Sequence, residues 1–208
     1  MAGPIHHACR NPWRPPLNEA RSHEAENVRQ AWGRVTRWLG RNAPKTAASL
    51  RGPVAPKLIS DAEARLGVSF PQEIWTWLLT NNGVHMADDG AGDAFAGPCG
   101  GFLPSGWHLL SLEQIVKVYE WRTQLEAMEP SPDPDRQCLG WHRDWIPFAV
   151  ETDWLYGRFI DTGTGMLGRW NDGDMNQFET HDSLAEYFHS LADEMRTQGK
   201  VEDGRLTW

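Results

Sequence analysis

The alternation of apolar and polar residues along the chain predicts five helices. In the first, over residues 24–39, apolar side chains recur at helical spacing and Gly40 can end the helix. The others are predicted over residues 60–67 and 71–82, and after Ser111 and Ser183.

Three of these helices carry a capping box at their predicted start. In this motif a serine hydroxyl accepts the backbone amide three residues on, and an acidic or amide side chain reaches back. The pairs are Ser60 with Glu63, Ser111 with Gln114, and Ser183 with Glu186.

Strands are predicted in the middle of the chain, between the helices. Apolar runs over residues 145–150 and 155–161 flank a polar turn, and residues 161–168 should form a second turn that returns through Arg169 and Trp170. A short strand is expected around Phe102 and Leu103. Helices at both ends of the chain around a strand-rich middle predict an α+β fold, with a central antiparallel or mixed sheet.

The pattern divides the chain into three parts. Residues 1–23 contain four prolines and little apolar periodicity, so we expect a flexible arm. Residues 24–197 are predicted to form one domain, and residues 198–208 a C-terminal tail. Residues 84–106 are rich in glycine and predict a loop.

Charge is distributed unevenly along the 208 residues, whose formal net charge is -8. The segment up to Lys57 has ten basic and three acidic residues, and the remainder has ten basic and 25 acidic ones. An acidic body attracts cationic partners and repels nucleic acid and anionic membranes. No apolar run reaches the ~20 residues of a membrane helix, and the first residues lack a signal-peptide core, so we expect a cytoplasmic protein.

Cofactor and metal motifs fail on their context. Residues 163–168 match G-x-G-x-x-G, but the following Arg169-Trp170-Asn171 segment cannot begin the helix that a dinucleotide site requires. Residues 172–183 begin like a calcium loop but lack its glycine and its final glutamate. The three cysteines are widely spaced, which predicts reduced thiols rather than a zinc site. We therefore expect no cofactor and no metal.

The sequence contains no catalytic motif. The eight histidines show no H-x-x-x-H spacing, and no serine lies in a nucleophile elbow. A site built from His142, Asp144 or His181 in three dimensions stays open as the enzymatic alternative.

Twelve tryptophans are many for this length. Those in apolar stripes, such as Trp32 and Trp77, are expected in the core. Trp107, Trp154 and Trp170 lie near predicted turns, where they either cover the core or anchor a partner.

The order of these features resembles the SUKH superfamily, which includes fungal cell-wall-synthesis regulators and bacterial toxin-immunity proteins. The resemblance covers about residues 32–195. Its features are a Trp-bearing first helix, the 62–83 segment with its Phe70-Pro71 step and Gly83, the Trp145-Ile146-Pro147-Phe148 strand, the Asp161/Gly165/Gly168 turn, and a closing amphipathic helix.

This resemblance implies a protein-binding module rather than an enzyme. The leading hypothesis is an immunity protein, monomeric or weakly dimeric, that blocks a basic toxin; a regulator or scaffold of cell-wall synthesis or signalling is the alternative. The chemistry of the sequence, and not the family, suggests the contact residues. They are Asp88, Asp89, Asp93, Trp107, Asp153, Trp154, Trp170, Asp172 and Asp174.

Overall fold

Six helices and seven strands form a single α+β domain in the part of the chain that the computed structural model describes, residues 17–85, 101–128, 140–171 and 176–208. The helices are α1 (Leu17–Asn42), α2 (Pro44–Ala48), α3 (Pro56–Leu66), α4 (Gln72–Leu78), α5 (Leu112–Met128) and α6 (Leu184–Thr197). The strands are β1 (His108–Leu109), β2 (Trp145–Val150), β3 (Gly157–Asp161), β4 (Leu167–Trp170), β5 (Gln177–His181), β6 (Lys200–Glu202) and β7 (Arg205–Thr207).

Strands β1 to β5 form one antiparallel sheet in sequence order, and β6 and β7 form a separate hairpin. Helix α5 lies in the chain between β1 and β2. The predicted α+β class is confirmed, and the sheet is antiparallel rather than mixed.

The two faces of the sheet bury different side chains. On one face helix α6 covers the sheet, where Tyr187 packs edge-on against Phe148 at 5.5 Å between ring centroids. Behind α6, Trp32 of α1 and Trp77 of α4 pack against Phe188. On the opposite face lies an aromatic cluster, in which Trp145 and Phe159 stack at 4.1 Å.

Two of the three predicted capping boxes cap a helix. The Ser183 hydroxyl accepts the Glu186 amide at 3.0 Å, and Ser111 and Gln114 bond each other reciprocally. The prediction for Ser60 is wrong, because helix α3 already begins at Pro56.

Glu63, the partner predicted for Ser60, instead connects α3 to α4. Its carboxylate accepts the Phe70 amide at 2.6 Å and the Trp75 indole N–H at 3.0 Å.

Both ends of the domain extend further than the pattern predicts. Helix α1 begins at Leu17, so residues 17–23 are helical rather than part of the arm. The predicted tail contains the β6–β7 hairpin, which docks on α2 through the Leu206 amide and the Thr46 hydroxyl at 2.9 Å.

The glycine-rich 161–168 segment is the β3–β4 turn, as predicted. The Asp161 carboxylate accepts the amides of Gly163 and Thr164, each at 2.8 Å, and Gly165 has a φ of +80°. The strand expected around Phe102 and Leu103 lies further along the chain. These two residues precede a 3-10 turn over Pro104–Gly106, and strand β1 follows that turn.

Candidate functional site

A cleft of about 320 Å³ opens between the sheet and helix α6. Strands β3 and β4 supply one side, α6 the second, and the turn before β1 the third. We call it the arginine cleft, and the side chains used below are Trp107, Glu151, Arg158, Arg169, His181, Tyr187 and Glu194.

Arg158 and Arg169 lie directly opposite each other on β3 and β4. Side chains alternate between the faces of a strand, so both guanidinium groups project to the face covered by α6. Like charges at opposed positions of a sheet are destabilising. The cleft thus concentrates two positive charges in an otherwise acidic domain.

Aromatic rings hold both guanidinium groups. The Arg158 and Arg169 guanidinium carbons lie 5.6 and 5.3 Å from the ring centroid of Trp107, and Arg158 also lies 5.1 Å from that of Tyr187. Cation–π contacts of this kind contribute about 0.5–1 kcal/mol each at exposed sites and more when water is excluded. They position the arginines without neutralising them.

Several polar groups in the cleft have no partner within the described ranges. The Nε of Arg169 and the Nδ1 of His181 are buried and form no hydrogen bond there. Among the same residues, neither arginine has a carboxylate within 4.0 Å, although Glu151 and Glu194 also line the cleft. Buried donors without partners are costly, and they are the groups that a bound acceptor would satisfy.

Burial tunes the ionisable groups around the arginines. It lowers the pKa of His181, with a further contribution from the positive charge of Arg158. Burial also raises the pKa of Tyr187 to about 12. At neutral pH these two side chains are therefore uncharged, and the positive charge of the cleft comes from its arginines.

Burial and the neighbouring Asp153 raise the pKa of Glu151. Its carboxyl group is thereby a weaker acid than an ordinary glutamate. The Glu151 carboxylate near Arg169 therefore takes up a proton more readily than an ordinary glutamate does.

The residues predicted to contact a partner fall into two groups. Five of them lie outside the described residues: Asp88, Asp89, Asp93, Asp172 and Asp174. Of the other four, Trp107 lines the arginine cleft, Trp154 and Trp170 contact each other near the opposite face of the sheet, and Asp153 lies beside Glu151 of the cleft.

Asp153, Trp154 and Trp170 are neighbours in the fold. The carbonyl oxygen of Trp154 accepts the indole N–H of Trp170 at 3.3 Å, and the exposed Asp153 accepts the Leu155 amide. Trp154 is half-buried, with a φ of +64°. Trp170, in contrast, is only 1% exposed.

The burial of Trp170 corrects one prediction. Its ring packs edge-on against Trp141 at 5.4 Å and under the Arg122 guanidinium, so it is a core residue and cannot present its ring to a partner in this fold. Partner contacts by Trp107, Asp153 and Trp154 stay predictions.

The residues of the enzymatic alternative do not converge. His142 lies 3.7 Å from Asp144, but neither lines the arginine cleft, where His181 lies. Over the described ranges, no group of three or more His, Cys, Asp and Glu residues could hold a metal ion. No helix in that part of the chain combines the length and apolar character that crossing a bilayer requires.

The arginine pair was accessible from sequence but was not predicted. A turn centred on Gly163 and Thr164 places Arg158 opposite Arg169, because antiparallel partners lie at equal distances from the turn. The signal in the sequence was a pair of like charges at opposed positions of two predicted strands. The sequence pattern did not indicate that α6 and Trp107 pack around this arginine pair.

Comparison with known proteins agrees with this architecture. Residues 53–190, about two thirds of the chain, match the model of the SMI1 / KNR4 family (SUKH-1). A 70-residue segment is 34% identical to the "Uncharacterized protein YnaB" of Bacillus subtilis (strain 168), and it covers 34% of this chain and 37% of that protein. The matched region includes all five strands of the sheet and the first half of α6. The chain therefore belongs to the SMI1 / KNR4 family (SUKH-1).

Proposed function

We propose that this protein is a non-enzymatic binding module that acts as an immunity protein in the cytoplasm. It neutralises a cognate, basic toxin by covering the surface with which the toxin binds its target. Blockade of this kind needs a complementary surface rather than a catalytic group.

The observation that carries this proposal is the charge of the family region. Residues 53–190 contain 21 acidic and eight basic residues, whereas the segment before Leu58 is basic. A toxin that acts on nucleic acid needs a basic surface to bind phosphates. An acidic domain is complementary to such a surface and accelerates the encounter with it.

Asp153 and Trp154 supply the described part of the proposed contact surface. An exposed carboxylate beside a half-buried indole offers a charge to steer a basic partner and a rigid apolar ring to bind it. Asp88, Asp89, Asp93, Asp172 and Asp174 are proposed to extend this acidic surface.

The test is a pulldown from the native host with tagged protein, at low and at high salt, read by mass spectrometry. We expect one basic partner that is weakened at high salt, because exposed charge pairs are screened over about 8–10 Å. The test variant changes Asp88, Asp89, Asp172 and Asp174 to Asn and should lose the partner.

A control variant removes the same amount of charge elsewhere. Glu113→Gln, Glu179→Gln, Glu202→Gln and Asp203→Asn lie at exposed positions of α5, β5 and the β6–β7 hairpin. Equal loss of the partner in both variants would mean that overall charge, and not this surface, drives binding. Capture of wall-synthesis or signalling proteins instead would favour the regulatory alternative and overturn the immunity proposal.

A further inference from the structure

We propose that the arginine cleft is a ligand site for a carboxylate whose carrier also bears a hydrogen-bond donor, as in the terminal residue of a peptide or a free amino acid. This inference does not rest on the toxin proposal. The toxin proposal concerns an acidic outer surface, whereas the cleft lies between the sheet and α6 and carries both arginines and glutamates.

The arrangement of Arg158 and Arg169 is the first argument. The fold places two like charges opposite each other, and among the described residues neither guanidinium group has a carboxylate within 4.0 Å. Both guanidinium groups lie within 5.6 Å of the centroid of the Trp107 ring, and each is a planar fork of N–H donors that matches the two oxygens of a carboxylate. A bound carboxylate would relieve the repulsion between the two arginines and accept hydrogen bonds from both guanidinium groups.

The partnerless atoms of the cleft are the second argument. Arg169 Nε and His181 Nδ1 are both buried, and both residues line the cleft. A buried N–H donor without a partner is costly, and a bound acceptor would satisfy it.

The remaining lining defines the ligand further. Glu151 and Glu194 face the same cavity, so a ligand with several negative charges would be repelled at that end, whereas an amide N–H or an ammonium group would be attracted. A volume of about 320 Å³ is at the lower end of small-molecule sites, so it accommodates one or two residues rather than a folded segment.

The test is isothermal titration calorimetry on the full-length protein, together with NMR of the arginine Nε–H signals. The compounds are N-acetyl-tetra-alanine with a free carboxylate, the same peptide as its C-terminal amide, free L-alanine, and inorganic phosphate. The acid peptide, alanine or both should bind and shift the signals of Arg158 and Arg169. The amide should bind at least tenfold more weakly, since it loses charge-assisted hydrogen bonds.

Three variants at the two arginines locate the site. Arg158→Gln and Arg169→Gln should each weaken binding by roughly tenfold or more, and Arg169→Lys should weaken it less, because lysine keeps the charge and loses the fork. Arg205→Gln, at an exposed position of β7, should bind like the wild type. The glutamine variants should melt at or near the wild-type temperature, because each removes one of two opposed like charges.

The outcomes separate cleanly. Binding of the acid peptide but not of alanine identifies a chain terminus as the ligand, and the reverse identifies a free amino acid. Equal affinity for acid and amide would overturn the proposal, as would binding of phosphate alone. Absence of binding by both carboxylates at millimolar concentration would overturn it too, and would leave the immunity proposal untouched.

Discussion

Glu73 should make the stability of this protein fall as the pH rises, which is unusual for a carboxyl group. The side chain is 6% exposed, and its two oxygens accept the amides of Leu184 and Ala185 at the start of α6, at 2.9 and 3.3 Å. Burial raises the pKa of Glu73 to about 7, and the negative charge of Glu24 adds to the shift. The two amide donors oppose it but do not offset the desolvation.

The sign follows from proton binding. Between pH 4.5, the ordinary value, and about pH 7, the folded state holds a proton on Glu73 that the unfolded chain has released. Stability is therefore greatest below this window and is lost as the pH rises through it. A shift of this size corresponds to roughly 3 kcal/mol, at about 1.4 kcal/mol for each pH unit.

The perturbation is Glu73→Gln, which cannot ionise. Glutamine keeps one acceptor oxygen for α6, so one amide loses its partner and the variant is less stable than wild type by about 1–3 kcal/mol at pH 4.5. That deficit should shrink or reverse by pH 8. Urea unfolding followed by tryptophan fluorescence, at intervals of pH from 4.5 to 8, measures the difference between the two free energies of unfolding.

The matched control is Glu202→Gln, at an exposed position of β6. The difference between Glu73→Gln and wild type should change with pH by more than the difference between this control and wild type. An equal pH dependence for the two variants would contradict the prediction, because it would mean that the folded state does not hold the proton on Glu73.

Three further changes test other features of the fold. Burial lowers the pKa of His108 to about 4. As the pH falls below 6.5, His108 is protonated in the unfolded chain before it is protonated in the folded protein, which lowers the free energy of unfolding. His108→Leu should therefore move the midpoint of acid unfolding to lower pH. Gly168→Ala places a Cβ 2.2 Å from an aromatic ring carbon and should cost about 1–3 kcal/mol in urea unfolding, whereas Gly40→Ala, with open space in α1, should stabilise by about 0.5–1 kcal/mol. Ser183→Ala should lower the free energy of unfolding by about 1 kcal/mol through the lost cap, and Ser60→Ala, inside α3, should not; equal losses would contradict the assignment of the caps.

The helix starts show where local reasoning succeeded and where it failed. Ser111 and Ser183 cap their helices because the motif needs only residues three apart and a non-helical residue before it. Ser60 has the same spacing but lies inside α3, since Pro56 begins that helix one turn earlier. Glu63 is then free to bond Phe70 and Trp75, a connection that its sequence position did not indicate.

The strands show the same division. Residues 145–150 and 157–161 are buried and apolar enough to be recognised from their own pattern. Strand β5 is polar and half-exposed, and it is ordered by pairing with β4 rather than by its own burial. A strand of that kind has little periodic signal to read.

The class of the fold, most of the helices, the β3–β4 turn and the acidic character of the domain could all be predicted from the sequence. These depend on neighbours along the chain, on apolar periodicity and on composition, all of which are local or additive. Three features became visible only in the folded chain: Trp170 is a core residue, Glu73 caps a helix 111 residues away, and Arg158 and Arg169 share a cleft with Trp107 and α6. Burial, desolvation and unpaired donors arise where elements distant in the sequence meet in space, and local sequence patterns do not show which elements meet.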